Sequence, residues 1–166
     1  MTTGADEDRA VWAFAEHEHV DLTRGIDRIH DVACAVGQLP TPVLSARVLD
    51  VLRWLDGMLA PHIAWEDAWL FPEIDARTGS PATTLAARFE HRQIREVIAQ
   101  LRADHDRLDH HGVPGDMNAT TGSDLVRLEA LIRAHLKRED RFLFPLLEEG
   151  RRSVQPRATA AANPAP

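Results

Sequence analysis

HIAWEDAWLFP occupies residues 62–72, and HLKREDRFLFP occupies residues 135–145. Six of the eleven positions agree at a constant offset of 73: the His, the Glu four residues on, the next Asp, and the closing Leu-Phe-Pro. Residues four apart on a helix share one face, one turn above the other. His62 with Glu66, and His135 with Glu139, therefore each aim an imidazole and a carboxylate in one direction. Such a pair can give a metal one imidazole nitrogen and one carboxylate oxygen, while the second oxygen reaches a neighbouring metal. Imidazole with carboxylate suits iron, manganese or zinc, and geometry rather than affinity decides among them. Spacing alone is weak, because His17 with Asp21 and His105 with Asp109 share it. A solvated pair of this kind contributes only a few tenths of a kcal/mol to a helix.

Working outward, apolar residues recur at helical spacing nearly everywhere, and turn residues interrupt them in four places. A first helix is expected over residues 8–37, with Trp12, Ala15, His19, Leu22, Ile26, Ile29, Ala33 and Val36 on its inner side. After QLPTP, Thr41 is the expected N-cap and Pro42 stands in the first turn, where its missing N–H costs nothing. The second helix then covers residues 43–73, with a kink or break at Pro61. A third helix, capped by Ser80 and opened by Pro81, runs to His111; its inner side is Leu85 or Thr84, then His91, Ile94, Ile98, Leu101, His105 and Leu108. Residues 112–123 read as a flexible connection, and Ser123 and Asp124 start a fourth helix that ends near Gly150. The polar, Ala/Pro-rich residues 151–166 read as a disordered tail. The fold expected is all-α, an antiparallel up-down-up-down four-helix bundle over residues 8–150.

The repeat extends to the other helices. His19 is followed at +3, +7 and +10 by Leu22, Ile26 and Ile29; His91 is followed at the same offsets by Ile94, Ile98 and Leu101. In an up-down-up-down bundle rising ~1.5 Å per residue, His19, His62, His91 and His135 all fall ~14–20 Å from one end. Four unrelated core histidines would rarely meet at one level. His17 competes with His19, but His17 would place Arg24 where the inner side expects Ile. Glu16, Glu90 and Asp67 are candidates for a supporting role, with solvation the simpler expectation. His30, His110 and His111 read as ordinary polar residues, and His105 as a hydrogen-bonded bundle histidine. Trp69-Leu70-Phe71-Pro72 and Phe142-Leu143-Phe144-Pro145 read as apolar packing beside the site.

Composition narrows the classes. A formal charge of −7 argues against nucleic acid or an anionic membrane as the main partner. No apolar run approaches the ~18 residues of a spanning helix, and MTTGADEDRA lacks the layout of a secretion signal. The single Cys34 excludes an internal disulfide framework and a Cys-based zinc cluster. A cytoplasmic protein is the expectation.

Taken together, His19, His62-x-x-x-Glu66, His91 and His135-x-x-x-Glu139, in order on four helices, resemble the hemerythrin-like family, the hemerythrin HHE cation-binding domain. The resemblance covers about residues 8–150. It implies a non-haem di-iron centre in a four-helix bundle, with the four His as terminal ligands and Glu66 and Glu139 as bridges. Oxygen-carrying hemerythrins have a second His one turn after the helix-three ligand; here that position is Arg95. The smaller ligand set implies open coordination positions, which favour reaction with peroxide, oxygen or nitric oxide over simple oxygen carriage. A role in oxidative stress or iron homeostasis follows, the alternative being an iron- or redox-responsive sensor without turnover. Ferritin-like chemistry needs two Glu-x-x-His motifs, and Glu16-x-x-His19 has no second copy.

Overall fold

The computed structural model describes residues 4–111 and 115–147, with side-chain surroundings for residues 18–107 and 119–147. The first rod is α1 (Gly4–Ala35). The second is continuous through five segments: α2 (Thr41–Trp54), π1 (Leu55–Leu59), α3 (Ala60–Trp65), π2 (Glu66–Leu70) and α4 (Phe71–Thr78). The third is α5 (Leu85–His111); the fourth is α6 (Gly115–Arg138), then π3 (Glu139–Leu143) and a last helical turn over residues 144–147. No strand occurs among the described residues. Packing of α1 on α2 and α6, and of α5 on the same two, closes the four-helix bundle. The tail over residues 151–166 lies outside the described residues.

Of the inner positions expected from periodicity, His19, Leu22, Ile26, Ile29, His91, Ile94 and Leu101 are buried and Ala33, Val36, Ile98 and His105 are half-buried, while the side chains of Trp12, Ala15 and Leu108 lie outside the described residues. Leu22, Ile26 and Ile29 of α1, Ile94 and Leu101 of α5, and Leu125, Leu128 and Ile132 of α6 pack with Leu44, Val48, Leu52, Leu55 and Leu59 in one long core. Thr84, not Leu85, takes the disputed inner position: Thr84 is buried and Leu85 is exposed. A second cluster of Leu70, Phe71, Ile74, Ala87, Leu143, Phe144 and Leu147 closes one end of the bundle.

Several boundaries differ from expectation, each for a local reason. Thr41 is not the cap: the Pro40 carbonyl accepts from the N–H groups of Val43 and Leu44, at 2.9 and 3.1 Å, so Thr41 is already helical. The third rod starts at Leu85 rather than Pro81. Asp75, near the end of α4, accepts from both the Thr84 backbone N–H (3.2 Å) and hydroxyl (2.9 Å), and this holds the preceding residues in turns. The fourth rod starts at Gly115, inside the stretch expected to be a flexible connection. Its early turns have a surface to pack on: Thr121 is fully buried, and a Cβ on Gly122 would stand 3.3 Å from Val36. Tertiary packing there overrides weak local propensity.

Pro61 does not break its rod, which stays helical through it. A proline in an α-helix removes a donor and its ring meets the carbonyl four residues back. Here the preceding turn is π-helical, and the Ala60 N–H bonds Leu55 O, five residues back. The same device recurs before Pro72, where Phe71 N–H bonds Glu66 O, and before Pro145, where Phe144 N–H bonds Glu139 O. The doubled phrase thus writes a wide turn that begins at its Glu and ends just before its Pro.

Candidate metal centre

His19, His62, His91 and His135 converge between the long core and the apolar end cluster, all buried, with Glu66 and Glu139 fully buried among them. Each carboxylate divides its oxygens between two pockets. Glu66 turns Oε1 to His62 Nε2 at 3.0 Å, and Oε2 to His91 Nε2 at 3.2 Å and His135 Nε2 at 3.6 Å. Glu139 turns Oε2 to His19 Nε2 at 3.4 Å and Oε1 to His135 Nε2 at 3.4 Å. Two groups result: His19, His62, Glu66 and Glu139, and Glu66, His91, His135 and Glu139, with the ligand atoms of each within 4.8 Å of one another. The two groups share both carboxylates.

A ring of four further carboxylates fixes the imidazoles. His19 Nδ1 meets Asp140 Oδ1 at 2.9 Å, and His91 Nδ1 meets Asp67 Oδ1 at 2.9 Å. His62 Nδ1 meets Glu18 Oε2 at 3.0 Å, and His135 Nδ1 meets Glu90 Oε2 at 3.3 Å. An ionised carboxylate only accepts, so each Nδ1 carries the proton and donates it. In the neutral ring that leaves the Nε2 lone pair aimed inward, as a metal ligand requires. Asp67 and Glu90, expected to be solvated, instead accept hydrogen bonds from His91 and His135. Glu18 and Asp140 were missed by sequence reasoning, although Glu-His at 18–19 is repeated at 90–91 and Glu-Asp at 66–67 is repeated at 139–140, in matching places of the two halves.

The inward-facing polar atoms lie at ion-pair distance from one another but do not complete hydrogen bonds. His19 Nε2, His62 Nε2 and both oxygens of Glu66 and Glu139 are buried and have no hydrogen-bond partner among the described residues. A buried polar group left unsatisfied costs about 1–3 kcal/mol, and more when charged. Cations between these atoms would remove that cost, so the residues present fit a metal. Without one, protons stand in. Burial works to lower the His62 imidazole, but Glu66 and then Glu18 overcome it and pull it up to about 9. Burial likewise opposes His135, which Glu139, Glu66 and Glu90 pull up to about 10. Burial works to raise the Glu66 carboxyl, but His135, His62 and His91 hold it well below its ordinary range. Glu139 is pushed up, by burial and then by the Glu66 charge beside it.

The family described as Hemerythrin HHE cation binding domain matches residues 11–147 of the chain. The chain belongs to that family. No curated protein and no solved structure matches it. This hemerythrin-family chain is thus a metal-binding protein by family and by its buried His/Glu cluster. No helix among its described residues is long and apolar enough to cross a membrane.

The hemerythrin-family site has a partly apolar lid. Phe71 stacks on His91 at 5.1 Å between ring centres, and Phe144 lies 5.1 Å from His19. Trp69 and Phe142, expected to pack with them, are 72% and 58% exposed. Arg95 turns away from the centre, its Nη2 2.6 Å from Asp67 Oδ2. Of the other histidines, His105 meets Ser45 Oγ at 3.3 Å in the bundle, as expected, and His30 is exposed. The side chains of His17, Glu16, His110 and His111 lie outside the described residues.

Proposed function

We propose that His19, His62, His91, His135, Glu66 and Glu139 hold two non-haem iron ions, and that the centre binds or reacts with a small oxidant: peroxide, oxygen or nitric oxide. The observation that carries this reading is the division of each buried carboxylate between two imidazole-lined pockets. That division is what two bridging ligands require, and a lone cation would not need it. Iron so bound would supply the electrons for binding or reducing the oxidant. The chain's own residues supply the rest. Asp140, Glu18, Asp67 and Glu90 fix the tautomer and tilt of each ring. Phe71 and Phe144 keep bulk water from the neighbouring imidazoles. Arg95, engaged by Asp67, donates no fifth nitrogen, and the set of four imidazoles and two carboxylates leaves positions open to an exogenous ligand.

Elemental analysis of protein grown with iron tests the reading directly. About two irons per chain, lost in a His62→Ala, His135→Ala variant, are expected, together with a spectral change on adding peroxide or oxygen to the reduced protein. One zinc per chain, or iron retained in the variant, would overturn it.

A further inference from the structure

The ring of four carboxylates obeys an approximate two-fold repeat; its surroundings do not. Around His91 and His135 the outer carboxylates are held by guanidiniums. Asp67 receives Arg95 Nη2 at 2.6 Å and has Arg88 Nη1 at 3.9 Å. Glu90 receives Arg138 Nη2 at 2.7 Å and Arg138 Nε at 2.9 Å. Around His19 and His62, no Arg or Lys pairs with Glu18 or Asp140 among the described residues. The sequence carries the same break. Where the second repeat has Arg88, Arg95 and Arg138, the first has Glu16, Thr23 and Trp65.

A carboxylate accepting an imidazole N–H makes the opposite nitrogen a stronger donor. A guanidinium on that carboxylate withdraws part of this effect and adds positive charge near the cation. Among the described residues, two carboxylates without a guanidinium stand behind one position; two carboxylates with three guanidiniums stand behind the other. We infer that the two metal positions are unequal: the His19/His62 position fills first and holds its ion more tightly, and the His91/His135 position, with Arg88, Arg95 and Arg138 behind it, is the exchangeable one. This rests on the two-metal reading above.

Two-step binding alone would not establish the order, because two cations sharing bridges repel each other even at identical positions. The discriminating experiment titrates ferrous iron alone, without oxygen, into the metal-free full chain and into single variants, by calorimetry with dialysis for stoichiometry. His91→Ala, which cripples the exchangeable position, is expected to keep one tight ion. His62→Ala is expected to keep one ion bound about tenfold or more weakly, within the ~10–100-fold that outer partners command. Equal affinities in the two variants, or the reverse order, would overturn the inference while leaving two metals per wild-type chain. Fewer than two ions in wild type, or binding indifferent to both variants, would instead remove the two-metal reading. Arg95→Gln, at a half-exposed side chain, decides if either His variant fails to fold. Tightening of the weaker step alone supports the inference; no change, or an equal change in both steps, overturns it.

Discussion

A histidine has two nitrogens, and a metal takes only one; what the other touches decides how good a ligand it is. Periodicity and bundle topology sufficed to bring His19, His62, His91 and His135 to one level with Glu66 and Glu139. They could not tell which way each Nδ1 faces, because that depends on the separation of neighbouring rods, which spacing along one chain does not encode. Asp67 and Glu90 therefore read as solvated, and Glu18 and Asp140 went unread. The aromatic half of the doubled phrase divides in a similar way. Phe71 is fully buried against His91, and Phe71→Ala is expected to destabilise by ~3–5 kcal/mol. Trp69, two residues away and exposed, should change stability by no more than ~0.5 kcal/mol as Trp69→Ala. Urea denaturation of the two variants checks both; equal losses would contradict this division of the phrase.

Among the elements, the four rods and their inner sides were legible because helical periodicity reports burial directly. Their ends were less so. Thr84 and Asp75 delay the third rod through a contact between α4 and the start of α5, and packing on Val36 draws the fourth rod back to Gly115. The π turns had no sequence signal beyond the prolines that follow them. One close approach between rods makes a prediction. A Cβ on Gly25 of α1 would lie 1.9 Å from the Trp54 ring on α2, whereas a Cβ on Gly57 would meet nothing within 4 Å. Alanine gains up to ~1 kcal/mol of helix propensity over glycine, but overpacking costs ~1–3 kcal/mol. Gly25→Ala is expected to lower the urea midpoint despite the propensity gain, and Gly57→Ala to leave it level or raise it.

For the whole molecule, metal and protons compete for one set of atoms. His62 and His135 have folded-state values of about 9 and about 10, above the ordinary 6.5. A raised value stabilises the fold fully below pH 6.5, and the contribution fades as pH rises through the folded values. Metal-free protein should therefore lose melting temperature between about pH 6.5 and 10, while the metal-loaded form, whose imidazoles are already neutral, should not lose it for this reason. Loading should release protons in that window, measurable as a buffer-dependent binding heat, and chelation at pH 8 should lower the melting temperature. A melting curve indifferent to chelation would contradict this linkage. The wide turns before Pro61, Pro72 and Pro145 have a consequence for chain length. A ring closed over five residues holds one residue more than an ordinary turn, so the second rod carries two surplus residues and the fourth carries one. Each surplus residue resets the angular phase of everything beyond it by about 100°. Loss of one codon between Glu66 and Pro72 would spare every candidate ligand yet swing Phe71 away from His91. In this molecule the tally of residues from Glu to Pro matters as much as their identity.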